Sequence, residues 1–292
     1  MEKKLQVGIV GYGKLGRAVE FAFTHPHVKT FIVDTDNPQQ GKTIDDLLEW
    51  QPNITMVCAE PFMNDKGFLD CSVIEDAVLK TLEHTKGGVI VKSVITPDIV
   101  MRLFDSLFDD DLKRLTFNPN LNIHDNPKKD FVEAKYQLIG GLREACAAVA
   151  NIYESFTNIQ AQEFKFASGP EILYTKLASD SFFALKKIWF NQVVNSAKRF
   201  ECNYSLIINQ ILQDSRIGKE YMTIPDYDGM EGIANQDITK NIRAFSQFDK
   251  DLTLLNECVI VNNKYRKIGD PNVDNGQTEK ELENQDDRSS TR

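Results

Sequence analysis

Gly11-Tyr12-Gly13-Lys14-Leu15-Gly16 decides the fold. The hexapeptide follows Leu5 to Val10, a short apolar run of strand character, and opens a helical pattern from Lys14 to Phe23. A strand, a G-x-G-x-x-G turn and a helix are the opening of a dinucleotide-binding unit. Gly11 permits the tight turn, Gly13 lets a pyrophosphate approach the backbone, and Gly16 lets the helix pack closely on the sheet. Tyr12, Lys14 and Leu15 complete the loop. The helix N-terminus offers free N–H groups and the positive end of its dipole to the phosphates. A second strand, Thr30 to Val33, ends at Asp34, about twenty residues beyond the loop, where an acid accepts hydrogen bonds from the adenine-ribose hydroxyls. A 2′-phosphate would be repelled there, and Thr35-Asp36-Asn37 offers no arginine to receive one. The predicted cofactor is therefore NAD rather than NADP. The alternative is that the glycines serve only a tight strand–helix turn.

Working outward, strand and helix patterns alternate. Thr43 to Trp50 reads as a helix, Ile54 to Cys58 as a strand, Val73 to Leu82 as a helix, Gly88 to Lys92 as a strand and Pro97 to Leu107 as a helix. Arg114 to Phe117 and Tyr136 to Ile139 read as two further strands. This alternation predicts an α/β, Rossmann-type doubly wound parallel sheet over residues 1–165. The pattern then changes. Gly169 to Phe200 carries apolar residues at helical spacing with no turn signal, which reads as one long helix or two joined helices, and Pro170 suits a first helical turn. With helical patterns over Ser205 to Gln213 and Ile238 to Val261, residues 166–268 form an all-helical domain built on one long helix, which predicts a homodimer through that helix. Residues 269–292 are polar and acidic and are expected to be a disordered tail.

The chain has 292 residues, 41% hydrophobic, with a net charge of −9. That charge disfavours general binding to nucleic acid or anionic membranes. No apolar run approaches the ~20 residues that span a bilayer. The N-terminus passes directly into a strand pattern, so no signal peptide is expected. Five cysteines, odd in number and set in apolar stretches, read as reduced thiols of a cytoplasmic protein, neither a disulfide frame nor a metal site.

Seven segments, in order, resemble the UDP-glucose/GDP-mannose 6-dehydrogenase family. Val57-Cys58-Ala59-Glu60-Pro61 and Gly67-Phe68-Leu69-Asp70-Cys71-Ser72-Val73 are similar to its V-P-T-P…G-x-x-D-L-S-Y-V segment. Val91-Lys92-Ser93-Val94 resembles x-K-S-T, Phe117-Asn118-Pro119-Asn120-Leu121 resembles x-N-P-E-F-L, and Ile139-Gly140-Gly141 resembles V-G-G. Residues Glu171 to Lys186 are close to A-E-L-x-K-Y-x-x-N-x-F-L-A-x-K, and Asp214-Ser215-Arg216-Ile217-Gly218 resembles D-x-R-I-G. The family oxidises the C6 alcohol of a nucleotide sugar to a carboxylate with two NAD. A cysteine thiolate captures the aldehyde, and a lysine with an Asn/Asp pair stabilises the oxyanion or positions water.

The resemblance implies a nucleotide-sugar substrate such as UDP-glucose and a short version without the family's third, nucleotide-binding domain. It implies Lys176 as the catalytic lysine, with Asp180 where the family has asparagine. It also implies Glu60, Pro61 and Ser93 beside the cofactor and Asp237 as the late aspartate of G-G-x-C-x-P-K-D. No cysteine lies between Cys202 and Cys258, so Ile233 or Ala234 takes the nucleophile's place and Gln236 that of the lysine. Asn120 replaces a glutamate, Val94 a threonine, and His124 falls near a second glutamate. His124 can act as a base near neutral pH or be a solvated loop histidine. Without a thiolate no thioester forms, while the first hydride transfer needs none. Three functions follow as expectations: a short nucleotide-sugar dehydrogenase, an NAD-binding partner or regulatory protein without this catalysis, and a simpler β-hydroxyacid dehydrogenase.

Overall fold

The computed structural model describes residues 4–34, 42–64, 68–121 and 126–268. The chain opens β1 (Leu5–Val10), α1 (Lys14–Ala22), β2 (Val28–Val33), α2 (Ile44–Trp50), β3 (Ile54–Val57) and the short strands β4 (Phe62–Met63) and β5 (Leu69–Asp70). Then come α3 (Ser72–His84), β6 (Gly88–Val91), α4 (Pro97–Asp105), α5 (Asp109–Leu112), β7 (Leu115–Phe117), α6 (Pro127–Val132), β8 (Tyr136–Gly141), α7 (Arg143–Phe156) and β9 (Glu163–Ala167). Four helices follow: α8 (Gly169–Arg199), α9 (Tyr204–Ile211), α10 (Gln236–Phe248) and α11 (Thr253–Tyr265).

Seven strands form one sheet in the order β2-β1-β3-β6-β7-β8-β9. The first five run parallel, with Val10 opposite both Val33 and Val57. The strands are apolar runs because both faces are covered, so neither face is free to be polar. Successive residues still alternate between faces. Val10, Val57, Val91 and Phe117 pack with α3 and α4 on one side. Ile9, Met56, Ile90 and Ile139 pack with α1 and α7 on the other.

The expected parallel sheet is corrected at one joint. β8 runs antiparallel to β7, with Phe117 opposite Gly140 and Thr116 opposite Gly141, while β9 is parallel to β8. The link from β7 to β8 carries only the six-residue α6 among the described residues, and it returns the chain in the opposite direction. A second correction concerns Ile238 to Val261. That pattern is two helices, α10 and α11, parted at Asp249-Lys250-Asp251. Three consecutive charged residues end the apolar stripe there, and Leu252 takes ψ 53°, outside helical geometry.

Contacts divide the chain into two compact units. The first comprises Met1–Ser181 with Lys240–Lys250, the second Phe182–Thr239 with Asp251–Arg292. The sequence reading parts the domains between residues 165 and 166; the compact units part at Ser181, within α8. Among the described residues no helix is long and apolar enough to cross a membrane.

Candidate active site

In the first unit, the loop between β1 and α1 has the shape its glycines predict. Gly11 has φ +88°, and a Cβ there would lie 2.5 Å from the Ala59 nitrogen. A Cβ on Gly16 would lie 2.1 Å from the Gly11 carbonyl oxygen, so α1 crosses the loop at a distance only glycine allows. Gly13 is different: a Cβ there would meet nothing within 4 Å. It caps α1 without a side-chain hydrogen bond, and the first turn carries no acid. Open space above an uncapped helix start fits a diphosphate. Tyr12 turns its hydroxyl to Glu20, and burial together with that carboxylate pushes the phenol up to about 12. Asp34 directly follows β2, as a ribose partner requires.

Ser93 is buried and donates to the Ala59 carbonyl at 2.6 Å, tying the end of β6 to the end of β3. Pro61, in the stretch Ala59-Glu60-Pro61, is buried, and the exposed Glu60 carboxylate pairs with Lys240. These residues shape the carboxyl edge of the sheet, where an open α/β fold binds its ligand.

Lys176 and Asp180 come together as the helical spacing predicts. Helix α8 starts in a reciprocal cap in which Ser168 and Glu171 bond to each other's backbone N–H. Its first residue packs on β8: a Cβ on Gly140 would lie 2.9 Å from Gly169 Cα. Ile172, Leu173 and Leu177 bury the inner face of the helix. One turn further the same burial takes in two charges. Lys176 is 1% exposed and Asp180 2%. Lys176 Nζ donates to Asp180 Oδ1 at 2.9 Å. Asn241 of α10 donates from Nδ2 to Asp180 Oδ2 at 2.7 Å. Asn241 is itself buried, and its Oδ1 has no hydrogen-bond partner. Sequence reasoning passed over Asn241. The signal for it was local: an amide at helical spacing from apolar Ile238 and Phe245, buried residues of α10.

Asp237 is exposed in the first turn of α10, in the second unit. His124 lies outside the described residues, as does the 269–292 tail. Asn120 is buried, donates to the Pro127 carbonyl at 3.4 Å and leaves its Oδ1 unpaired.

A second buried polar group of the first unit gathers at the end of β6. Lys92 Nζ and the Tyr153 hydroxyl both donate to Asn118 Oδ1, each at 2.8 Å, and Asn118 Nδ2 donates to the Leu138 carbonyl at 2.7 Å. The ammonium also sits 3.8 Å from the centre of the Phe131 ring. Burial pulls Lys92 down to about 7. Burial likewise pushes Tyr153 well above its ordinary value.

In the second unit, three successive backbone N–H groups of the loop before α10 are each taken by a side-chain oxygen. Gly232 donates to Asn191 Oδ1 at 3.0 Å, Ile233 to Asn262 Oδ1 at 2.8 Å, and Ala234 to Asp226 Oδ2 at 2.9 Å. Asp226 in turn pairs with buried Lys187 at 3.0 Å. Cys258, on α11 of the same unit, is buried, and burial pushes its thiol up to about 12, far from a thiolate at neutral pH.

No protein-family model matches the chain, and no characterised protein matches it in sequence. Solved structures do. The UDP-glucose dehydrogenase of the hyperthermophilic archaeon Pyrobaculum islandicum shares 18% identity, with 89% of this chain and 68% of that one covered and a TM-score of 0.73. The chain shares the fold of that protein. The UDP-D-ManNAc dehydrogenase of Pyrococcus horikoshii shares 16% identity over the same shares of the two chains, with a TM-score of 0.72. The Mycobacterium tuberculosis 3-hydroxyisobutyrate dehydrogenase shares 10% identity, with 91% of this chain and 94% of that one covered and a TM-score of 0.68. These likenesses concern the fold.

Proposed function

We propose that the chain is an NAD-dependent oxidoreductase that converts an alcohol to a carbonyl, with the C6 alcohol of a nucleotide sugar as its substrate. The observation that carries this reading is the buried Lys176–Asp180–Asn241 cluster in the same compact unit as the glycine loop. Burying a charge pair costs free energy that a solvated helix pair avoids, so its presence calls for a use. NAD, held by Gly11, Gly13, Gly16 and Asp34, would accept a hydride from the carbinol carbon. Lys176 donates one N–H to Asp180 and has others to hold the substrate oxygen, and the hydroxyl proton passes through Lys176 to the Asp180 carboxylate as the hydride leaves.

Lys240-Asn241 reads as the family's K-D pair with the acid changed to an amide, while Asp180 is the family's asparagine changed to an acid. The acid and the amide have exchanged places, and the cluster keeps one carboxylate. In this register Asp237 falls on the nucleophilic cysteine's position. A carboxylate cannot form the thioester, so the reaction stops at the aldehyde. Purified protein incubated with NAD and UDP-glucose, UDP-ManNAc or GDP-mannose should raise NADH absorbance and yield an aldehyde that hydroxylamine traps. No turnover with any of the three rejects the nucleotide-sugar reading.

The 94% coverage of the hydroxyisobutyrate dehydrogenase favours a second reading, a hydroxy acid as substrate. Turnover of 3-hydroxyisobutyrate in the same assay separates the two. A homodimer through α8 is also proposed. Phe182 and Trp189, two turns apart on that helix, are 63% and 61% exposed. Two large aromatic side chains on one stripe of a helix are what a contiguous apolar association surface would be built on.

A further inference from the structure

Within the first unit, helix α10 reaches in two directions. Asn241 turns to Asp180 of α8. Lys240, the residue before it, turns to the Glu60 carboxylate in the segment that leaves β3. Arg243, one turn on from Lys240, places Nη1 3.9 Å from the Met63 sulfur of the same segment. Neighbouring residues of a helix point about 100° apart, so one rigid rod holds both sets of contacts at once.

The near end of that segment walls the glycine loop. A Cβ on Gly11 would come within 2.5 Å of the Ala59 nitrogen, and the Ala59 carbonyl accepts from the Ser93 hydroxyl at 2.6 Å. A continuous run of contacts therefore passes from Gly11 through Ala59 and Glu60 to Lys240, and from its neighbour Asn241 to Asp180 and Lys176. The ion pair is the joint that solvent reaches: the Glu60 side chain is 73% exposed and that of Lys240 20%. An exposed pair adds little to folding stability. It can still fix a spacing, here that between α10 and the exit of β3.

We infer that Glu60 and Lys240 are positioning residues, whose ion pair holds α10 against the exit of β3 and so sets how far the Lys176–Asp180–Asn241 cluster stands from the glycine loop. This rests on the proposed NAD-dependent alcohol oxidation, in which the cluster holds the hydride donor and the loop the acceptor.

The test uses the full chain with saturating NAD and whichever alcohol of the turnover assay it oxidises. Glu60→Gln and Lys240→Gln each remove the ion pair and leave a polar side chain in place. Each should lower kcat about tenfold, with NADH affinity within about twofold of the wild type and the melting temperature unchanged. The exchanged pair, Glu60→Lys with Lys240→Glu, should recover most of the loss. Salt distinguishes an ion pair from a packing role, because screening at about 1 M acts within roughly 3 Å. The wild-type kcat should fall toward that of the single variants as sodium chloride rises to about 1 M, while theirs holds steady. Unchanged kcat in the single variants overturns the assignment. A loss confined to Glu60→Gln, or a fall in NADH affinity, makes Glu60 a cofactor contact and overturns it too. No recovery in the exchanged pair, together with a wild-type kcat indifferent to salt, also overturns it. In each of these cases turnover by the wild type leaves the proposed function standing. A wild type that oxidises none of the alcohols overturns both.

Discussion

Lys176 Nζ and Asp180 Oδ1 lie 2.9 Å apart, one helical turn from each other, and both side chains are closed off from solvent. On an exposed helix such a pair contributes only about 0.3–0.5 kcal/mol. Here each charge depends on the other. Lys176→Met should therefore lower stability by about 3–5 kcal/mol, because it leaves a buried carboxylate with only the Asn241 amide. Adding Asp180→Leu should recover most of that loss. Chemical denaturation of the three variants measures this. A Lys176→Met protein as stable as the wild type would show that the pair is not buried.

The glycine loop separates cofactor binding from folding. Gly13→Ala adds a methyl group to open space and should leave the melting temperature near that of the wild type while weakening NAD binding at least tenfold. Gly16→Ala drives a methyl group into the Gly11 carbonyl and should destabilise the domain by about 1–3 kcal/mol. Thermal melts paired with NADH fluorescence titrations distinguish the two effects.

The role proposed for Asp34 is to set the choice of cofactor. NAD should bind at least tenfold more tightly than NADP, and Asp34→Ala should narrow that gap by weakening NAD. Titration of each nucleotide against both proteins gives the ratio. Equal affinity in the wild type would remove the assigned role.

Lys92 makes stability rise with pH. Its amine falls to about 7 in the folded protein from an ordinary 10.5. Below pH 7 the folded and unfolded states are both protonated, and the folded state bears the full cost of a buried charge. Between pH 7 and 10.5 the folded amine is neutral while the unfolded one still holds its proton, so that cost shrinks as pH rises. The gain across the window is on the order of a few kcal/mol. Lys92→Met leaves Asn118 Oδ1 bonded to Tyr153 and should flatten the dependence. Urea midpoints at pH 7 and pH 9.5 report it.

The exposed stripe on α8 bears on association. If it carries the proposed dimer, Trp189→Glu and Phe182→Glu should each shift the protein toward monomer in sedimentation velocity, with little change in melting behaviour of the dissociated chain. A wild type that sediments as a monomer at micromolar concentration rejects the interface.

Much of the first unit was legible because its signals are local. Gly11 to Gly16 couples a strand to a helix within six residues, and the apolar strands Leu5–Val10, Ile54–Val57 and Gly88–Val91 stand where period and turn residues place them. The unbroken apolar spacing of α8 gave a helix within one residue of the observed end. Other elements hid for physical reasons. β9 alternates Phe164 and Phe166 with charged Glu163 and Lys165, an edge pattern that a search for apolar runs overlooks. Helix α7 buries Ala145, Cys146, Val149, Ala150 and Tyr153, a stripe of mostly small residues that a search for large apolar side chains overlooks. The antiparallel direction of β8 shows only in the pairing of Gly140 and Gly141 with Phe117 and Thr116, which no local spacing encodes. In the site, the Lys176–Asp180 contact follows from i,i+4 geometry. Asn241 reaches Asp180 from another helix, and that approach exists only after folding.

The loop of Gly232, Ile233 and Ala234 is gripped through its backbone by Asn191, Asn262 and Asp226. None of those three bonds consults the side chain at position 234. Residue identity there is thus free to drift while the shape of the loop persists, and a library of small residues at Ala234 should yield folded protein throughout. A scaffold of this kind is an address at which reactive groups can be installed by a single substitution.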